Sequence, residues 1–343
     1  MSGVMTTGKI WATSWLRVVG LFTLLLGLFV TSSGRTATND SDFANWLQDL
    51  RVEASQMGIS NIVLDQALKG ISPLPRVIEL DRSQPEFKLT FEEYLNKVVS
   101  PTRKRVAMEK LKEHDKLLSE VATKYGVQKR FLVTFWGIET NFGRYLGSFN
   151  VPQALVTLAY DGRRSDYFRN ELFNALKILE EGHITAATMK GSWAGAMGQS
   201  QFMPSSFLNY AVDWDGDGKR DIWANKADVF ASSANYLANA GWRDDITWGR
   251  AVALPESGRI DGKSSLALAD AKIKMPLSDW ARAGVKNVDG SVLPTRPLQA
   301  RLVIPAGDTG PVYLVYSNFD SILAWNRSNY YALAIGILSD TLR

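Results

Sequence analysis

Apolar residues recur every three or four positions through much of the chain, the spacing that puts one face of a helix into a core. Over residues 105–125 those positions are Ala107, Leu111, His114, Leu118, Val121 and Tyr125, and they predict one long amphipathic helix stopped by Gly126. Residues 127–142 predict a second helix ending at Gly143. Phe131, Leu132, Val133, Phe135, Trp136 and Ile138 leave it almost no polar face, so it belongs at the centre of a domain. Residues 165–181 predict a third, with Phe168, Leu172, Ala175 and Leu179 on one face, Ser165 as N-cap and Gly182 as stop. Residues 40–97 look helical with a break at residues 70–75, and residues 81–87 read as a connection because Pro85 disfavours helix at Gln84. Helix returns over residues 226–240 and, strongly apolar, over residues 330–342. Between them, residues 248–304 are richer in Pro and Gly, and residues 299–304 and 312–316 are strand-like. The expected fold class is therefore α+β, mainly α.

Composition narrows the classes. Of 343 residues, 45% are hydrophobic, with 12 Pro and 27 Gly, which suits a globular chain of about two domains. There is no cysteine, so disulfides, thiolate metal sites, a cysteine nucleophile and a Cys-linked lipid anchor are excluded. The two histidines, His114 and His183, are too few for a multi-histidine metal site. The formal charge is +4, but Lys9, Arg17 and Arg35 precede the first acid, Asp40, and removing those three leaves +1. A nearly neutral body gives no support for nucleic-acid binding. Lys9 and Arg17, the apolar run at residues 18–30, and small residues after it make residues 1–38 look like an export signal or an N-terminal anchor. The run is shorter than the roughly 20 residues that cross a bilayer. The expected address is the periplasm, with the protein soluble or anchored by that segment.

Glu139 is the odd residue in its apolar helix. Phe135, Trp136, Phe142 and Gly143 are its neighbours one turn either way. A carboxyl held against aromatic rings loses water, which disfavours its charged form and raises its pKa. A general acid for glycosidic cleavage needs that property. The plainer reading of such a residue is a Glu paired with a buried Arg. The glycine-rich segment at residues 191–204 has small residues that let backbone approach a ligand, Trp193 and Phe202 as flat faces for sugar rings, and Ser192 and Gln201 as hydrogen-bonding groups. The competing reading is a tight internal contact. His114 is expected to pack in a core, and His183 to have a structural role near a helix C-terminus, where a positive charge would be favourable.

The motif Phe135-Trp136-Gly137-Ile138-Glu139-Thr140-Asn141-Phe142-Gly143, the segment 191–204, Asn235-Tyr236 and Trp325-Asn326-Arg327-Ser328 resemble the lytic murein transglycosylases of the B type, and residues 81–87 also look like that family. The resemblance runs from about Asp40 to the C-terminus. It implies a lysozyme-like helical core with an added N-terminal helical part and a small β-containing part. The regions expected are 40–125 (N-terminal helical), 126–247 (lysozyme-like catalytic core), 248–316 (small α/β) and 317–343 (a C-terminal segment returning to the core). It also implies cleavage of the bond between N-acetylmuramic acid and N-acetylglucosamine. The muramyl 6-hydroxyl attacks in place of water and leaves a 1,6-anhydro end. The family's catalytic acid falls on Glu139, acting first as acid and then as base. Ser192, Gln201, Phe202, Tyr236 and Asn326 fall on cleft positions. Arg163 and Arg164 match a paired arginine able to hold muramyl or stem-peptide carboxylates, and Tyr331 matches a cleft tyrosine. Neither central motif holds a second carboxylate of the kind a hydrolase pairs with its acid. The partner expected is the glycan strand of peptidoglycan, not nucleic acid. Proteins of cell-wall synthesis or division would be further partners of unknown identity.

Residues 213–221 fit the first nine positions of an EF-hand-like loop. Asp213, Asp215, Asp217 and Asp221 stand at one, three, five and nine, Gly218 at six, and Lys219 would offer its carbonyl at seven. Position twelve is Ala224, and the resemblance places the replacement at Asp228, giving a loop over residues 213–228. Calcium in a structural role is the expected cofactor, with no organic cofactor. Three other readings stay open: a muramidase that uses water, a non-catalytic peptidoglycan-binding scaffold, and a calcium-binding interaction module.

Overall fold

A computed structural model describes residues 34–83, 89–307 and 310–343, with side chains from residue 41 onward. The expected export segment therefore lies almost wholly outside the described residues, as do residues 84–88 of the expected connection. Among the described residues no helix is long and apolar enough to cross a membrane. By compactness the chain divides into residues 1–45 and residues 46–343. The regions expected to end at 125, 247 and 316 are thus parts of one compact unit.

The N-terminal helices are α1 (Gly34–Gln56), α2 (Asn61–Leu68), α3 (Pro75–Ser83), α4 (Phe91–Val98), α5 (Pro101–Glu113) and α6 (Asp115–Tyr125). Side-chain caps start three of them: Ser60 for α2, Thr90 with Glu93 as a capping box for α4, and Ser100 for α5. Residues 105–125 are two helices rather than one. His114 breaks the run (φ −106, ψ 19) and turns its ring edge-on to Trp136 and Phe230. The break lets α5 and α6 take separate courses, α6 running on to α11, defined below. Helix α3 continues through Asp81 to Ser83, where a connection was expected, because Asp81 is buried and satisfied by two arginines.

The central helices follow: α7 (Lys129–Thr140), β1 (Phe149–Asn150), α8 (Val151–Asp161), α9 (Ser165–Glu180), β2 (Lys190–Gly191), α10 (Pro204–Tyr210) and α11 (Lys226–Asn239). Helix α7 is buried nearly all round, as its pattern predicts, with Phe131, Leu132, Val133, Phe135 and Trp136 inside. Gly126 and Gly182 stop the helices before them at φ 67 and 77. Ser165 is not the N-cap of α9. Arg164 holds that position without a side-chain bond to the helix, its guanidinium being drawn instead to Asp81.

An α/β part comprises β3 (Gly249–Ala253), β4 (Arg259–Ile260), β5 (Lys263–Ser264), α12 (Ser265–Asp270), β6 (Met275–Pro276), α13 (Leu277–Arg282), β7 (Lys286–Asn287), β8 (Gln299–Val303) and β9 (Val312–Val315). Five of its strands form an antiparallel sheet in the order β6-β8-β9-β3-β7, with Leu302 opposite Leu314 and Val252 opposite Val312. Val252, Leu268, Leu277, Trp280, Leu302 and Leu314 form its own core. The chain ends with α14 (Ser317–Trp325) and α15 (Asn329–Asp340). Helix α15 packs on α7 and α4, so the C-terminus closes over the central helix.

One contact fixes that closure. Gly336 of α15 lies flat on Trp248, just before β3, and a Cβ there would stand 2.2 Å from the ring. The ring is itself held, its Nε1–H donating to Asp340 at 3.0 Å. Gly to Ala inside a helix ordinarily gains about 1 kcal/mol. Here the overpacking should outweigh that gain, and Gly336→Ala is expected to lose about 1–2 kcal/mol in urea unfolding. A higher urea midpoint would show that the ring yields freely.

Candidate active site

Glu139 sits in the last turn of α7, and two donors converge on its Oε1 atom. Trp325 Nε1, from the end of α14, donates at 2.8 Å, and the Tyr331 hydroxyl, from the first turn of α15, donates at 2.5 Å. These residues stand 186 and 192 positions away in the chain. Both bonds fall on one oxygen, which leaves Oε2 to carry a proton. An aromatic wall surrounds the pair. Phe135 packs on Trp325 at 4.6 Å between ring centres, and Tyr236 and Phe202 pack on the same indole at 4.9 and 5.2 Å.

Burial pushes the Glu139 carboxyl from the ordinary 4.5 up to about 7, with the hydrogen bonds from Tyr331 and Trp325 opposing the rise. The bonds favour the charged form, yet loss of water outweighs them. Tyr331 is raised well above the usual phenol value, first by burial and then by the Glu139 charge. Tyr94 of α4 is pushed up to about 12 by the same two causes. Tyr94 and Tyr331 line a cleft of about 630 Å³ with Leu89, Asn326, Arg327 and Tyr330.

The segment at residues 191–204 folds as a tight double turn. Met197 bridges both Gly191 and Phe202, with Met197 and Phe202 exchanging backbone hydrogen bonds. Its glycines approach the protein itself and not an open space for ligand. At Gly198 (φ 65) a Cβ would meet Ile222 at 2.6 Å. Ser192 Oγ accepts from the backbone N–H of Ala196 and Ala194, leaving its own O–H to donate. Gln201 (φ 48) donates from Nε2 to the carbonyls of Leu146 and Gly198. Phe202 does not offer a flat open face. It is 2% exposed, and its ring backs Trp325 and Tyr236. Tyr236 donates to the Ala324 carbonyl at 2.7 Å and so holds the end of α14 that presents Trp325. Asn326 is exposed and accepts from the Ser328 N–H.

Arg163 and Arg164 are both turned onto Asp81. Arg163 makes a forked pair (2.5 and 2.9 Å) and Arg164 adds a third contact at 2.5 Å. Both guanidinium groups stay nearly half exposed, at 47% and 44%. Their bonds, that of Arg163 first, hold the buried Asp81 carboxyl below its usual range. The pair thus has a carboxylate partner inside the protein, and only its outer N–H groups are available to another.

In the acidic loop, one carboxylate oxygen from each of Asp213, Asp215 and Asp217 lies within 4.8 Å of the other two. Asp213 accepts from the N–H groups of Gly216, Asp217 and Gly218, which curls the loop around it. Lys219 contributes its N–H to Asp217. Asp228 stands outside that trio. It is fully buried, accepts from the N–H of Trp214 and Asp221, and is pushed up to about 6 by burial, with the charges of Asp215 and Asp213 adding to the rise. His183 packs beneath this loop, where its Nδ1 accepts from the Arg220 backbone N–H at 3.2 Å and its Nε2 lies 3.0 Å from the Arg220 guanidinium. Burial, aided by the Arg220 charge, lowers its pKa, which works against a positive charge at the helix end.

Trp325, Tyr94 and Gln199 belong to the site's surroundings without a role anticipated from sequence. Gln199 accepts from Trp136 Nε1 at 2.8 Å. The sequence marked Trp325 only as part of a motif.

Residues 42–340 match the family described as the transglycosylase SLT domain. The chain is 33% identical over 248 residues to the membrane-bound lytic murein transglycosylase B of Escherichia coli K12, covering 71% of this chain and 64% of that relative's length. Among solved structures it resembles SltB3 from Pseudomonas aeruginosa in complex with NAG-anhNAM-pentapeptide. There the TM-score is 0.83 at 44% identity, over 88% of this chain and 79% of the other. It also resembles the Escherichia coli lytic transglycosylase Slt35 in complex with calcium, with a TM-score of 0.73 at 28% identity, over 88% and 92% of the two chains.

The pKa of Glu139 has a consequence for stability. Its folded value lies above the 4.5 of an unfolded chain, so the folded state holds the proton more tightly. The associated stability is fully present below about 4.5 and is lost as pH rises through about 7. Glu139→Gln should remove that dependence. At pH 8 the variant is expected to be more stable than wild type by on the order of 1–3 kcal/mol, with little difference at pH 4. Urea unfolding at both pH values checks this, and parallel pH dependence in the two proteins would contradict it.

Proposed function

Because the chain belongs to the transglycosylase SLT domain family, we propose that it is a lytic transglycosylase of the cell wall, which cleaves the β-1,4 bond between N-acetylmuramic acid and N-acetylglucosamine. The observation that carries this reading is the state of Glu139. It keeps its proton up to about pH 7, with one oxygen pinned and the other left to act. In the first step Glu139 gives that proton to the glycosidic oxygen and the bond to C1 breaks. The substrate's own acetamido oxygen supports the positive charge. In the second step the Glu139 carboxylate, still bonded by Trp325 and Tyr331, takes the proton of the muramyl 6-hydroxyl as that oxygen bonds to C1. The product ends in a 1,6-anhydro ring, and Glu139 is protonated again. Of the groups that shift Glu139, Tyr331 and Trp325, neither is a carboxyl, which favours one carboxyl serving both steps over a pair.

The substrate groups assigned are Ser192, Gln201, Tyr236, Asn326 and Tyr331 around the acid, with Phe202 as a backing wall. The outer N–H groups of Arg163 and Arg164 would hold stem-peptide or lactyl carboxylates. The peptidoglycan fragments bound by SltB3 support this choice of substrate. We place the protein in the periplasm, exported or anchored through residues 1–38. Digestion of purified peptidoglycan followed by mass spectrometry tests the reaction. Anhydro-ended fragments, one water lighter than hydrolysis products, are expected from wild type and none from Glu139→Gln. Products of full hydrolytic mass would make it a muramidase, and undiminished activity in the variant would remove Glu139 from the mechanism.

Calcium is the proposed ion of the acidic loop. Asp213, Asp215 and Asp217 would hold it with the Lys219 carbonyl, and Asp228 would support the loop from behind. Three carboxylate oxygens gathered within 4.8 Å of one another suit a hard cation. Its contribution is structural, pinning the stretch between Gln201 and Tyr236. At 100 times the dissociation constant, calcium should stabilise by about 2.7 kcal/mol, read as a melting temperature a few degrees above that in chelator. Equilibrium dialysis with no uptake at millimolar calcium would discard the site.

A further inference from the structure

Helix α7 stops two residues after Glu139 in an uncommon way. Asn141, Phe142 and Gly143 are all left-handed, at φ 49, 62 and 80. Non-glycine residues rarely occupy that region, and a bulky one such as Phe142 needs surroundings that hold it there. The helix closes part of the turn by itself, since Asn141 N–H donates to Gly137 and Phe142 N–H to Trp136. The Phe142 ring packs edge-on to Trp136, and Gln199 adds a constraint from a distant segment.

Gln199 grips the last turn at three points. Its Oε1 accepts from Trp136 Nε1 at 2.8 Å, and its backbone carbonyl accepts from Thr140 Oγ1 at 3.1 Å. Its amide also fills the space beside Gly143, where a Cβ would lie 2.3 Å from Gln199 Oε1. Thr140 Oγ1 in turn accepts from Gly143 N–H. The other end is anchored as firmly. Gln199 Nε2 donates to the Trp223 carbonyl at 2.7 Å, and its N–H donates to the Ile222 carbonyl at 2.8 Å. Trp136 and Thr140 flank Glu139 at three residues before and one after. Gln199 is 2% exposed and therefore does not meet substrate.

We propose that Gln199 is a positioning residue that fixes the left-handed stop of α7 and thereby aims Glu139 at Trp325 and Tyr331. This rests on Glu139 being the acid of the reaction above. Removing the Gln199 side chain takes the partner from Trp136 Nε1 and the amide from beside Gly143, and leaves only the Thr140 bond to the Gln199 backbone carbonyl to hold the turn from that segment. Small displacements of an acid from its reacting atom cost rate steeply. They would also admit water to the carboxyl and reduce the burial that raises its pKa.

The test uses Gln199→Met, which keeps the length and loses both side-chain bonds. The titration of Glu139 is followed by carboxyl carbon NMR on the full chain, with the resonance assigned by its loss in Glu139→Gln. Turnover is measured on purified peptidoglycan. The expected result is a Glu139 midpoint moved from about 7 toward the ordinary carboxylate range. Turnover should fall about 10- to 100-fold while KM stays within about twofold. Trp136→Phe, which deletes the donor to Gln199 along with part of the ring that His114 and Phe230 pack on, should move both quantities the same way, and it carries the test if Gln199→Met does not fold. A folded variant with a lower melting temperature but an unmoved midpoint and turnover overturns the proposal. The NMR arm needs no substrate. If wild type yields no anhydro products yet the midpoint moves in Gln199→Met, the reaction assignment fails and the positioning role stands.

Discussion

A carboxyl taken out of water must find partners or keep its proton, and at Glu139 both happen at once. Trp325 and Tyr331 satisfy one oxygen, and burial among aromatic rings keeps the proton on the group up to about pH 7. Much of the surrounding architecture serves that arrangement. The donors come from the last two helices, so the acid is complete only when the C-terminus has returned to α7. That return depends on α15 lying against α7 and α4, and on Gly336 fitting flat on Trp248.

The buried Asp81 and Asp228 and the partly buried Glu139 show that burial alone does not set a pKa. Asp81 is as enclosed as any, yet it is lowered, because Arg163 and Arg164 bond to its charged form. Asp228 is raised to about 6, since its two backbone donors are outweighed by burial and by the nearby charges of Asp213 and Asp215. Glu139, with two donors without formal charge, is raised to about 7. The direction follows the chemistry of the partner. A guanidinium outweighs desolvation, neutral donors do not, and adjacent negative charge adds to the rise.

The glycine-rich segment takes a different place in this scheme from a ligand-cradling loop. Its small residues let the segment turn against Ile222 and Ala196, and this delivers Gln199 to α7 and Phe202 to the back of Trp325. The polar groups of Ser192 and Gln201 are held by backbone bonds within the same double turn. The acidic loop adjoins the segment through Ile222 and Trp223, so cleft, acid and loop share one hydrogen-bonded frame.

The sequence by itself determined most of the helices and singled out Glu139 with its aromatic surroundings. Periodicity is local, and a Glu in an otherwise apolar helix stands out without any tertiary knowledge. It also marked the acidic loop, because alternate aspartates form a short motif, and the family resemblance marked Tyr331. It could not determine where His114 breaks a continuous apolar stripe, since the break depends on the ring reaching Trp136 and Phe230 in another part of the chain. Nor could it tell that Arg163 and Arg164 meet Asp81, that Phe202 faces inward, or that Trp325 bonds to the acid. Each of these is a pairing across some 80 to 190 positions, and pairings at that distance are set by how helices pack, not by spacing along the chain. Tertiary structure alone decided which oxygen of Glu139 is held, and so which one is left to carry the proton.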